Sequence, residues 1–256
     1  LHTAYRRQRQ MCIRDRCAGV FCMMVRAFER RNLEGEMLRL SMKNAPATGA
    51  IAAICVVVYV ITAAQSRSLT DVIWESPLGS AMILWGPLVD GTGYIRPLTA
   101  GFLHLDITHL VLNLLMLVLI GSEIERFVGT GPYIVAYLAS VLGSSAAVLI
   151  FNFAIPTAGA SGALYALMAV LIAVALRRST DLRAPIALIL VNIAYTFLAS
   201  NVSFWGHAGG LLAGAILAWP LTSPNVRTRW VAATVALIAA GVAAWVPTIP
   251  SATPVY

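Results

Sequence analysis

A serine, three histidines and an asparagine stand in or beside stretches that are otherwise almost wholly apolar. Ser161 lies in Gly159-Ala160-Ser161-Gly162, His207 in Trp205-Gly206-His207-Ala208-Gly209-Gly210, and His104, His109 and Asn113 in the run 103–121. Polar groups in such surroundings are costly unless partnered, so each is a candidate for function. A serine in an apolar helix commonly bonds its own helix carbonyl. Here Gly159 and Gly162 flank Ser161 and let backbone and substrate approach closely. A helix opening at this point also leaves unpaired N–H groups beside the hydroxyl, which favour a developing negative charge. A hydroxyl in reach of an imidazole is a nucleophile–base pair, and its chemistry is acyl transfer. His109 and Asn113, four apart, share one helix face. Their N–H groups could join the Ser161 amide in holding an oxyanion, a role worth about 10² to 10³ in rate per donor. Asp106 lies at the rim, so no carboxylate is well placed to orient His207, and a dyad is expected rather than a triad.

The elements that must position these groups are membrane helices. The 256 residues are 59% hydrophobic and 11% charged, against about 25% charged in soluble domains, so lipid must solvate much of the surface. Seven apolar segments approach the length of about 20 residues that a bilayer requires: 48–64, 103–121, 131–152, 160–176, 184–200, 204–220 and 229–246. The Ser161 motif opens the fourth and the His207 motif the sixth; His104, Asp106, His109 and Asn113 are placed near the outer end of the second. Gly162 with Ala166, and Gly210 with Gly214, repeat at four residues. That spacing lets the fourth and sixth helices pack closely and bring His207 to Ser161. The stretch 65–102, with Trp74, Trp85 and three prolines, is expected to lie in the membrane interface.

The net charge of +7 is concentrated at the start: residues 1–50 hold ten Lys/Arg against four Asp/Glu, and the remainder eight against seven. This is a basic flank, not a nucleic-acid surface. Arg126, Arg177, Arg178, Arg183, Arg227 and Arg229 fall in alternate turns, which places the N-terminus in the cytoplasm, the C-terminus outside and the polar cluster toward the outer side. Cys12, Cys17 and Cys22 precede the first segment and Cys55 lies in it; they imply no disulfide framework. Residues 6–16 lack helical or strand periodicity. The first 35 or so residues are expected either to be read-through from untranslated or adaptor sequence, with Met37 or Met42 as the natural start, or to form a basic cytoplasmic tail.

Taken together, the Gly159-Ala160-Ser161-Gly162 run, His109 with Asn113, and His207 followed by Gly210 and Gly214 resemble the rhomboid intramembrane proteases, in their GxSG on the fourth helix, HxxxN on the second and histidine on the sixth. The resemblance extends over 48–220 and includes Arg96, His104, Gly121, Glu123 and Arg126. It implies an all-α membrane protein, a six-helix transmembrane bundle plus one additional C-terminal transmembrane helix. The domains expected are a basic segment over 1–47, the protease core over 48–220, and a linker, seventh helix and short tail over 221–256. It further implies a Ser161–His207 dyad, an oxyanion site of His109, Asn113 and the Ser161 amide, and Tyr165 packed against the base histidine. Gly159, Gly162, Gly210, Gly214 and His104 are expected to support the site. The expected activity is endopeptidase cleavage of transmembrane protein substrates in the lipid bilayer of the cell membrane, with no cofactor and no metal; oligomeric state is left open. The alternatives are an inactive relative that captures membrane segments, which would have lost Ser or His, and a metal site or small transporter using His104, Asp106, His109 and His207. The latter is disfavoured by the absence of HExxH and by the divergence expected of His104 and His109 around one helix.

Overall fold

The computed structural model describes residues 44–198 and 202–246, which form seven principal helices. We label them α1 (Pro46–Ser66), α2 (Ile107–Val128), α3 (Thr130–Phe151), α4 (Ser161–Arg177), α5 (Arg183–Leu198), α6 (Phe204–Leu221) and α7 (Val226–Trp245). The basic segment up to residue 43, with Cys12, Cys17 and Cys22, lies outside the described residues. Helices α1, α2, α3 and α7 are long and apolar enough to cross a membrane, and α4 and α5 are shorter apolar helices. The chain is an integral membrane protein. Helix α4 is its centre: Gly162 to Val170 are buried without interruption, as expected of a helix apolar on every face. Helix α5 has Thr196 as its one fully buried described residue.

The second helix differs from its expected bounds at both ends. It begins at Ile107 rather than 103, because the Asp106 carboxylate accepts the His109 N–H at 2.8 Å and caps the first turn. It then passes through a π-helical stretch, Leu117–Gly121, and continues to Val128. The polar run Ser122-Glu123-Ile124-Glu125-Arg126 marked its end in the sequence, yet it is helical because Glu125 turns inward. The Glu125 carboxylate accepts the Ala47 N–H at 3.0 Å, the Thr48 N–H at 2.8 Å, and the Thr48 and Thr130 hydroxyls at 2.8 and 2.9 Å. It thereby satisfies N–H groups that the first turn of α1 leaves open. Helix α2 stops at Gly129, whose φ of +91° suits glycine.

At the same end of the bundle, Arg229 of α7 donates to the Phe127 and Val128 carbonyls at 3.2 and 3.1 Å. Glu123 pairs with Arg126 at 2.6 Å and also with Arg178. At the opposite end, residues 67–106 form short helical turns rather than a span. Arg96 belongs to this layer as a clamp, donating to the Ser80 and Ile83 carbonyls at 2.7 and 2.9 Å. An isolated antiparallel bridge joins Leu84 to Thr157, and the Trp85 indole donates to the Ala154 carbonyl at 3.0 Å. The loop that leads into Ser161 is thus held by the loop that leads into α2.

Candidate active site

The first turns of α2, α4 and α6 lie at one end of the bundle. Helix α6 is capped by Ser203, whose hydroxyl accepts the Gly206 N–H at 3.2 Å. This sets His207 in the first turn, where Ser144 of α3 donates to the Gly206 carbonyl at 2.8 Å. Helices α4 and α6 meet backbone to backbone: a methyl group at Gly210 would overlap the Gly162 carbonyl, and one at Gly214 would overlap the carbonyl of Ala166. At this closeness Ser161 Oγ and His207 Nε2 are 2.8 Å apart, within hydrogen-bond range. The Tyr165 ring, one turn below Ser161, stacks on the imidazole with centroids 4.1 Å apart and planes 17° from parallel.

Two residues that sequence reasoning did not single out complete the surroundings of His207. Its Nδ1 lies 2.8 Å from Thr196 Oγ1 on α5. Thr196 in turn donates to the Asn192 carbonyl at 2.9 Å, and the Tyr165 hydroxyl lies 2.5 Å from both Thr196 Oγ1 and that carbonyl. The signal available in the sequence was a pair, Asn192 and Thr196, four apart in an otherwise apolar segment.

Gly159 has φ +130°, and a Cβ there would lie 2.7 Å from His109 Cε1, 2.9 Å from His109 Nε2 and 3.7 Å from Ser161 Oγ. The absent side chain leaves the space that the His109 ring and the serine hydroxyl both border. His109 Nδ1 accepts the Leu105 N–H at 3.5 Å. An accepting Nδ1 places the ring proton on Nε2, the nitrogen that faces Gly159. Asn113 is buried and donates one amide hydrogen to the His109 carbonyl at 2.8 Å; its second remains for another acceptor.

His104 is not part of helix α2, and its ring does not diverge from His109. Because the helix starts only at Ile107, the extended residues before it bring the two rings edge to face, with centroids 5.2 Å apart. Burial, followed by the proximity of His109, pushes the His104 pKa down to about 3, so the ring is neutral at physiological pH. No three His, Cys, Asp or Glu side chains among the described residues are grouped to hold a metal ion.

Comparison with known proteins gives the same direction. The family model described as the Rhomboid domain matches residues 91–224. Rhomboid protease GluP of Bacillus subtilis is 38% identical over 135 residues, 51% of this chain and 26% of that protein. Rhomboid-like protease 3 of Toxoplasma gondii is 29% identical over 174 residues, 63% of this chain and 64% of that protein. Rhomboid protease GlpG of Serratia proteamaculans is 25% identical over 189 residues, 70% of this chain and 64% of that protein. The chain therefore spans about a quarter of the first relative and just under two thirds of the other two.

Proposed function

This chain belongs to the rhomboid family, and on that premise we propose that it is an intramembrane serine endopeptidase with Ser161 as nucleophile and His207 as general base. The observation that carries the reading is the 2.8 Å contact between Ser161 Oγ and His207 Nε2, made by two helices whose glycines let their backbones meet. In the first step His207 takes the Ser161 proton and the hydroxyl oxygen attacks a peptide carbonyl. The oxyanion forms against the Ser161 amide, His109 Nε2–H and the free amide hydrogen of Asn113, and the leaving amine takes its proton from His207. Water then attacks the acyl group and frees Ser161. Tyr165, stacked on the imidazole, limits its rotation.

The substrate class is a membrane-spanning segment, unwound locally so that its amide reaches Ser161. Helix α4 has 17 residues and α3 has 22. At 1.5 Å per residue the difference is about 7.5 Å, which supports a serine recessed below the outer membrane face. The proposed core is the six helices within 48–220, with α7 added to it. The topology has the N-terminus in the cytoplasm and the site opening outward, consistent with Arg126, Arg178 and Arg229 at the opposite end. Co-expression with a panel of single-span reporter proteins tests the activity. Cleavage of at least one reporter by the wild type and none by Ser161→Ala is the expected result; equal cleavage by both would refute the assignment.

A further inference from the structure

We propose that Thr196 is a positioning residue that holds His207 in the tautomer able to act as a base. The inference rests on the Ser161–His207 reading above and adds a third group to it, supplied by α5. His207 can take a proton from Ser161 only if Nε2 carries a lone pair, which requires the ring proton on Nδ1. The group facing Nδ1 is the Thr196 hydroxyl, at 2.8 Å. A hydroxyl can either donate or accept, so its neighbours decide which tautomer is favoured.

The Thr196 hydroxyl is one corner of a closed triangle of three oxygens. Thr196 Oγ1 is 2.9 Å from the Asn192 carbonyl oxygen, and the Tyr165 hydroxyl is 2.5 Å from each of the other two. Two hydroxyl protons are available for these three short contacts. If both stay inside the triangle, two of the three contacts are hydrogen bonds and Thr196 Oγ1 turns a lone pair toward Nδ1. His207 then donates Nδ1–H to Thr196 and presents its Nε2 lone pair to Ser161. If Thr196 instead donates to Nδ1, only the Tyr165 proton remains, and two of the three oxygen–oxygen contacts have no hydrogen between them. Buried oxygens held that close without a proton repel, and the Asn192 carbonyl or the Tyr165 oxygen loses a partner. Proton counting therefore favours the base-competent tautomer.

The placement on α5 gives the inference its physical content. Thr196 is buried, while Phe197 and Leu198 beside it are exposed. Its hydroxyl is held on the Asn192 carbonyl one turn back, so its direction does not depend on solvent. The dyad thus has its orienting group on a third helix, neutral and without a carboxylate.

The test uses the full chain in detergent and a hydrophobic fluorophosphonate, with the maximal rate of labelling and the inhibitor constant measured separately. Thr196→Val removes the hydroxyl at nearly constant volume, Thr196→Ser keeps it, and Thr196→Cys substitutes a weaker acceptor. We expect Thr196→Val to label about tenfold more slowly, the size of one net hydrogen bond. The inhibitor constant should stay within about twofold, Thr196→Ser should return to within about threefold of wild type, and Thr196→Cys should fall between. Thermal melting identifies any variant that does not fold, and the Ser against Cys comparison then replaces Val. Thr196→Val labelling within about threefold of wild type overturns the inference. So does a loss confined to the inhibitor constant, a serine variant no faster than valine, or, where valine does not fold, a cysteine variant equal to serine. These results leave the dyad standing if Ser161→Ala and His207→Ala lose labelling. If those two variants label like wild type, the dyad itself fails, and the role of Thr196 fails with it.

Discussion

Replacing Gly210 by alanine adds one methyl group three residues after His207 and on no reacting atom, yet it should disable the proposed dyad. The new Cβ would lie 2.7 Å from the Gly162 carbonyl carbon and 3.1 Å from its Cα, and closer still to the carbonyl oxygen. These are backbone atoms, and no side chain can rotate to make room. Restoring the carbon contact alone to an ordinary 3.4 Å moves the helices apart by about 0.7 Å, and the oxygen contact requires more. Ser161 precedes Gly162 directly, so its distance to His207 would grow from 2.8 Å to beyond hydrogen-bond range. A misplacement of about 1 Å costs on the order of 10²-fold in rate, and the overpacking itself costs about 1–3 kcal/mol of stability. The assay is fluorophosphonate labelling rate beside thermal melting in the same detergent. Labelling within about threefold of wild type in a folded Gly210→Ala protein would refute the claim that this helix contact sets the dyad distance.

Other perturbations separate the parts of the account. Glu125→Ala leaves two buried N–H groups and two hydroxyls of α1 and α3 without their acceptor; it should lower unfolding free energy by about 3 kcal/mol, read by melting, and an unchanged midpoint would contradict the capping role. His109→Ala should reduce the turnover of a cleaved reporter peptide by about 10² to 10³ with little change in KM, and a purely KM effect would remove His109 from the oxyanion site. His104 titrates near 6.5 when unfolded and near 3 when folded, so the unfolded chain binds more protons between those values and stability falls as pH drops from 6.5 toward 3. His104→Gln should flatten that part of the melting-versus-pH curve, and an identical acid loss in the variant would assign it elsewhere.

Much of the fold was legible because apolar length and small-residue spacing are local signals. Each of the seven apolar segments corresponds to a helix, and the glycine repeats at Gly210 and Gly214 face the partner backbone whose closeness they permit. Ser161, His207, His109 and Asn113 stood out because polar groups are rare in such surroundings. The misplaced features depend on partners far away in the chain. Glu125 reads as one more charge beside Glu123 and Arg126, and only its contacts with Ala47 and Thr48, more than seventy residues distant, distinguish it. The start of α2 depends on the Asp106 cap, and a boundary four residues too early put His104 on the wrong side of a helix. Thr196 shows no signal of its own, since a threonine bonded to its helix carbonyl is ordinary. Its contacts with Tyr165 and His207 exist only once α5 is packed beside α4 and α6.

The central claim, that Ser161 is a nucleophile activated by His207, is tested most directly by treating the purified chain with a hydrophobic fluorophosphonate and mapping the adduct by peptide mass. One adduct is expected, on Ser161, absent from Ser161→Ala and slowed at least about 10³-fold in His207→Ala. An adduct on another residue, or labelling of His207→Ala at the wild-type rate, would contradict it.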